Sequence, residues 1–232
     1  MGGWVAKKCN LKHIHHVHEI IQSPSWFAFF IHKIIAINAD HVIAVSHAVK
    51  NNLSKVIPEN KISVIYNGLD YSSLSSNQLL EKKLSLNPNH LIIGMIARVH
   101  PWKGQSYFID LAAALLQKKK TITFIMVGDA YPGNEYLYDE LEAKIDLLGL
   151  KRHFINLGYR EDISAILNTL DLFVLPSTAP DPFPTVILEA MACKKAVIAT
   201  AQGGALEMIE HQVSGIHIPL DNPQKASEIN LP

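Results

Sequence analysis

Four short runs of apolar, largely β-branched residues constrain this chain more than any other feature: LIIGMIA (91–97), TITFIMV (121–127), DLFVLP (171–176) and KAVIAT (195–200). They are nearly continuous rather than alternating, so each reads as a strand covered on both faces. HFINLG (153–158) and GIHIP (215–219) are weaker candidates of the same kind. Helical patterns lie between them, over 104–118, 134–148, 161–170, 184–193 and 204–210, several opened by Gly, Pro, Asn or an acidic residue. Strands alternating with helices of this length imply right-handed βαβ units, and so an α/β, doubly wound parallel sheet over 86–232. Upstream, KHIHHVH, DHVIAVS and ISVIY read as three more strands with helices between them, a smaller unit over 1–85 that runs into a polar, Ser/Asn-rich linker at 71–89.

Composition excludes several classes. With 48% hydrophobic and 18% charged residues in 232, the chain is globular, neither fibrous nor disordered. Its zero net charge divides into 9 Lys+Arg against 5 Asp+Glu over 1–90 and 12 against 16 over 91–232. A surplus of four charges fits a solvated surface as well as an anionic partner, and nothing approaches a nucleic-acid-binding stripe. Cys9 and Cys193 have no pair spacing for metal or redox work, which fits a reducing cytosol. The lysines near the N-terminus are not followed by an apolar run of signal-peptide length. The longest apolar segment, WFAFFIHKIIAI (26–37), is interrupted by His32 and Lys33 and is too short to span a bilayer. It is either a core helix or an interfacial one. In the second case Trp26, Phe27, Phe29 and Phe30 beside Lys33 would touch a membrane surface.

Doubly wound sheets bind ligands at the carboxyl ends of their strands. Neither G-x-G-x-x-G nor G-x-x-x-x-G-K-[ST] occurs, which argues against a nicotinamide dehydrogenase or a P-loop kinase. The strand at 91–97 instead runs into ARVHPWKGQ, with Arg98 at the strand end and Lys103-Gly104 where the next helix starts. Two cations beside free helix N–H groups suit a diphosphate, although the pair also fits solvated loop cations. DPFPTVILEAMA (181–192) adds two acids, Asp181 in a Pro-flanked loop and Glu189 inside an apolar helix that Pro184 would open at its first position. In this reading Ile187, Leu188 and Met191 pack, and Glu189 looks into a cleft where a sugar hydroxyl would bond it. A capped core acid and a helix-start charge are the bland alternatives.

Asp181 with Glu189 resembles the E-x7-E signature of the retaining glycosyltransferases of the group 1 family (family 4), whose GT-B fold sets two doubly wound domains facing across a cleft. NADHVIAVSHAVKNNL, KISVIYNGLD, IIGMIARVHPWKG, TFIMVGDA, NLGYRED, DLFVLPS, DPFPTVILEAMACKKAVIATAQGG and SGIHIPL occur in the order of that family, over residues 11–220. The first acid is Asp where Glu is commonest, and Pro184 stands where Gly is usual.

The resemblance implies a retaining, metal-independent enzyme moving a sugar from a nucleotide-sugar to a polysaccharide or glycolipid acceptor. It would work in the cytoplasm at the inner face of a membrane, without a cofactor. Arg98 and Lys103 would neutralise the leaving nucleoside diphosphate, in place of a metal ion, and the chain has no Asp-x-Asp pair of the metal-dependent kind. Glu189 would bind the ribose, and Thr185 and Val186 would border the donor. Gly158 and Tyr159 would meet the base, Asp181 the transferred sugar, and His18 in HVHEI the sugar near the reaction centre. His13, His15, His16 and His18 resemble metal ligands, but on a strand they divide between two faces and cannot converge on one ion. Family members begin with a strand and a Gly-rich loop not found here, and EINLP stops before the family's closing helices. The expectation is therefore a fragment with a partial acceptor domain, transferring sugar undetectably. A nucleotide-sugar epimerase of the same fold and a non-catalytic nucleotide-sugar-binding subunit are the alternatives.

Overall fold

A computed structural model describes residues 2–70 and 84–229. The expected linker at 71–89 falls largely on 71–83, outside the described residues. The chain divides into two compact units. Among the described residues, the first contains 2–68 together with two segments distant in sequence, Pro180–Pro184 and Gln202–Glu207, and the second contains the others.

The first unit holds α1 (Gly2–Lys8), β1 (Ile14–Val17), α2 (Ser25–Asn38), β2 (His41–Ala44), α3 (His47–Leu53) and β3 (Ile62–Val64). Its three strands are parallel in the order β1-β2-β3, with Ile14 opposite His41 and Val42 opposite Ile62. Ile35, Val42, Ala44, Val45, Val49, Leu53 and Ile57 form its core. α2 buries only a narrow stripe, Ala28, His32 and Ile35, at the i, i+4, i+7 spacing of one helix face. His32 therefore does not interrupt the core but faces it. Trp26 (70% exposed), Phe29, Phe30, Ile34 and Ile37 lie outside that stripe, so the reading of this segment as a core helix is corrected for its aromatic half. α1 has no buried residue, which is why no apolar periodicity announced it.

The second unit holds β4 (Leu91–Ile96), α4 (Gln105–Lys118), β5 (Ile122–Val127), α5 (Tyr136–Leu147), β6 (Phe154–Asn156), α6 (Ile163–Thr169), β7 (Leu172–Leu175), α7 (Thr185–Ala192), β8 (Ala196–Thr200), the short α8 (Ala205–Met208), whose first three residues belong to the first unit, β9 (Ile216–Ile218) and α9 (Pro223–Ala226). All six strands are parallel, in the order β6-β5-β4-β7-β8-β9. β5 and β7 are buried along their whole length, as their unbroken apolar runs require. Phe108, Phe124 and Phe154 meet edge-on or stacked at ring-centroid distances of 5.1 to 6.1 Å and fill one side of the core. The chain runs β4-β5-β6 in one direction and then resumes at β7 on the other flank of β4. The strand order thus reverses between β4 and β7, the point where open α/β sheets bind ligands outside their carboxyl ends.

Candidate functional site

The segment after β4 is shaped by that position. Arg98 lies just beyond the strand end, and its carbonyl accepts a hydrogen bond at 2.9 Å from the side chain of Gln105, the buried first residue of α4. Between them Pro101–Lys103 form one 3-10 turn, capped at 3.4 Å by His100 Nδ1 accepting from the Trp102 N–H. Gly104 then enters α4 with φ of +87°, and a Cβ there would lie 1.8 Å from the Pro176 carbonyl oxygen just past β7. Only glycine lets the start of α4 come this close to the end of β7. Lys103 and the start of α4 are thereby held at the switch point, where helix N–H groups attract an anion.

The exposed guanidinium of Arg98 lies over the ring of Tyr131, with its carbon 4.1 Å from the ring centroid, and its Nη1 also donates to the Tyr131 hydroxyl. Lys103 Nζ lies 4.1 Å from the centroid of the Trp102 ring. A cavity of about 590 Å³ opens beside Arg98 at the carboxyl ends of β4 and β5, bordered by Gly128, Asp129, Tyr131 and Tyr159. The loop after β5 is pinned from beneath by Tyr138, whose hydroxyl lies 2.6 Å from the Gly128 carbonyl oxygen and 2.7 Å from Asp129 Oδ1. Gly158, with φ of +61°, accepts from the Gly128 N–H at 2.8 Å and sends the exposed Tyr159 to the cavity rim. Of the residues singled out from the sequence, Arg98 and Tyr159 line this cavity; Lys103, Gly158, Thr185, Val186 and Glu189 do not. Tyr131, which sequence reasoning missed, does line it. Its only signal was an aromatic residue in the loop after GDA.

On α7 the buried face is Ile187 with Ala190, while Leu188 and Met191 are only half-buried, which corrects the packing expected for them. The helix begins at Thr185, one residue after Pro184. Glu189 is half-buried, and the Thr185 hydroxyl one turn earlier hydrogen-bonds its carboxylate. Burial pushes the Glu189 carboxyl above the ordinary glutamate range, and the Thr185 bond takes back part of that rise.

His18 and Asp181 belong to the first unit. His18 lies just past β1, and its Nε2 is 3.2 Å from His16 Nδ1 with ring centroids 4.1 Å apart. His13 and His15 form a separate edge-on pair at 5.7 Å, as period-two alternation requires. Burial, and then the neighbouring His18, pushes His16 below the ordinary imidazole range. Asp181, expected to meet the transferred sugar from its loop, is buried, at 7% exposed. Its carbonyl accepts from the Gly204 N–H at 2.7 Å.

The sequence profile described as Glycosyl transferases group 1 matches residues 76–229, and that of Glycosyltransferase Family 4 matches residues 1–73. The chain is 32% identical over 168 residues to the UDP-Gal:alpha-D-GlcNAc-diphosphoundecaprenol alpha-1,3-galactosyltransferase of Escherichia coli, covering 70% of this chain and 42% of that protein. It is 31% identical over 181 residues to the N,N'-diacetylbacillosaminyl-diphospho-undecaprenol alpha-1,3-N-acetylgalactosaminyltransferase of Campylobacter jejuni, covering 74% and 45%. The chain thus spans a little under half the length of these two relatives. Among solved structures, Anabaena HepE in complex with UDP and glucose superposes with a TM-score of 0.86 at 33% identity, over 97% of this chain and 62% of that one; HepE also occurs in complex with UDP-glucose.

Proposed function

Because the chain belongs to the glycosyl transferases group 1 family and has its α/β, GT-B type fold, we propose that it binds a nucleotide-sugar and serves the transfer of the sugar to a glycan or glycolipid acceptor, with retention and without a metal ion. The observation that carries the reading is the cavity at the β4 and β5 ends, where a guanidinium and two aromatic rings border a space large enough for a nucleobase. In the second unit Arg98 and Lys103 take the diphosphate, whose negative charge grows as the glycosidic bond breaks. Gly158 and Tyr159 take the base, Glu189 the ribose hydroxyls, and Thr185 and Val186 border the donor at the start of α7. In the first unit Asp181 and His18 are assigned to the sugar. Metal independence is supported by the two cations and by a sequence without an Asp-x-Asp pair.

The test is Glu189→Gln, read as thermal stability with and without UDP-glucose. The Glu189 carboxyl has a raised folded-state pKa, so the stability tied to its protonated form is present below the unfolded pKa and lost as pH rises through the folded value. A neutral Gln avoids that loss. Without ligand the variant should be as stable as the parent in acid and at least as stable at pH 7. The UDP-glucose-induced rise in Tm should shrink, because the acceptor for the ribose hydroxyls is weaker. An unchanged ligand shift overturns the assignment. Release of an altered nucleotide-sugar without any acceptor would favour an epimerase, and donor binding with no bond broken would favour a binding subunit.

The exposed aromatic face of α2 favours a second partner, an anionic membrane surface, since Trp26, Phe29 and Phe30 are exposed and Lys33 Nζ lies 5.5 Å from the Phe29 ring centroid. No helix among the described residues is long and apolar enough to cross a membrane. The chain should co-float with anionic vesicles and not with neutral ones, and Phe29→Ser with Phe30→Ser should abolish it. Equal flotation with neutral lipid removes the electrostatic part of this proposal.

A further inference from the structure

Glu207 makes a contact that its place in the sequence does not foretell. Both of its carboxylate oxygens accept backbone N–H groups at 2.7 Å, Oε2 from His47 and Oε1 from Ala48, about 160 residues away in the same unit. The Tyr66 hydroxyl hydrogen-bonds the same carboxylate and is pushed above the ordinary phenol range, first by burial and then by that bond. Tyr66 in turn stacks on Phe183 at a centroid distance of 5.4 Å and an interplanar angle of 21°. The segment Gln202–Glu207 is therefore tied down at its end. Its other end presses on the Asp181 loop. Gly203, with φ of +56°, packs so closely that a Cβ would lie 2.4 Å from the Asp181 carbonyl oxygen and 2.8 Å from its nitrogen. The neighbouring Gly204 N–H donates to that carbonyl. Phe183, two residues after Asp181, is the ring beneath Tyr66.

We infer that Glu207 is a positioning residue for Asp181. By clamping residues 203–207 against the backbone of His47 and Ala48, with Tyr66 and Phe183 as a second tie, it fixes the loop that carries the acid. The inference rests on the proposed role of Asp181 toward the transferred sugar. A carboxylate suits the task because charge-assisted bonds to two adjacent N–H groups fix both its distance and its orientation. A positioning group must be held this firmly, since small displacements of a binding group cost much of its effect.

The experiment uses the whole chain and four variants, Glu207→Ala, Glu207→Gln, Asp181→Asn and Asp181→Ala, with UDP and UDP-glucose as probes in calorimetry and with amide hydrogen exchange as a ligand-free readout. In Glu207→Ala the Gly204 amide should exchange at least about tenfold faster, while amides of β4 and β5 keep their rates. The affinity for UDP-glucose should fall about tenfold, as in the Asp181 variants, with that for UDP unchanged within about twofold. Gln keeps one acceptor oxygen and should fall between; if Ala does not fold, Gln carries the same readouts. Unchanged exchange at Gly204 overturns the clamp. Faster exchange with unchanged UDP-glucose affinity, where the Asp181 variants lose it, overturns the positioning role and leaves Glu207 a structural tie. If the Asp181 variants keep their UDP-glucose affinity, or neither probe binds, the donor reading itself fails and the inference falls with it.

Discussion

Replacing Arg98 or Lys103 by Ala is expected to weaken UDP binding by about 1.5 to 3 kcal/mol for each side chain, roughly tenfold to 150-fold, with little change in Tm. The small effect on stability comes from where the two cations stand. Arg98 is exposed and Lys103 half-buried, and each rests on an aromatic ring rather than in the core. The large effect on binding comes from their charge at the point where β4 and β7 diverge, beside the N–H groups that open α4. Arg98→Lys should recover only part of the loss, because a compact ammonium does not both lie over the Tyr131 ring and bond its hydroxyl as the guanidinium does. Raising the salt concentration should weaken UDP binding to the parent more than to either variant, since each variant has one screened interaction fewer. Calorimetry giving the same UDP affinity in parent and both Ala variants overturns the diphosphate assignment.

Much of the second unit was legible because its strands are covered on both faces, which leaves unbroken apolar runs at 91–97, 121–127, 171–176 and 195–200. The order of those strands was not legible. That β4 lies between β5 and β7 depends on side-chain packing across the sheet, and no local signal encodes it. The two histidine pairs followed from period two alone. Periodicity failed on α2, where apolar residues occur on every face, so nothing in WFAFFIHKIIAI indicated that the buried stripe would run through Ala28, His32 and Ile35. Arg98 was visible as a cation at a strand end, but its partner was not, because Tyr131 reaches it from the loop of the next strand. Glu207 and the burial of Asp181 were hidden for a stronger reason. Each depends on the close approach of backbones far apart in sequence, and the only local trace is the Gly203-Gly204 pair that allows it.

Close approach of backbones also makes Gly104 a sensitive small residue of the donor side. Gly104 and Gly133 have nearly equal φ values, +87° and +89°, but different surroundings. A Cβ at Gly133 would meet nothing within 4 Å, so Gly133→Ala should cost only the left-handed backbone penalty, about 1 to 2 kcal/mol. A Cβ at Gly104 would sit 1.8 Å from the Pro176 carbonyl oxygen and 2.6 Å from its carbon. These are backbone atoms just past the end of β7, so relief requires moving either that strand end or the start of α4. Gly104→Ala should therefore add an overpacking cost of about 1 to 3 kcal/mol to the same penalty, for a total of about 2 to 5 kcal/mol by denaturant unfolding. Either displacement shifts Lys103 and the first N–H groups of α4, so UDP affinity should fall together with stability. In Gly133→Ala the lost stability should leave UDP affinity nearly intact. The difference between the two variants isolates the contact with Pro176 from the dihedral. Equal stability losses in both would mean that the β7 end yields freely and does not hold the diphosphate end of the site in place.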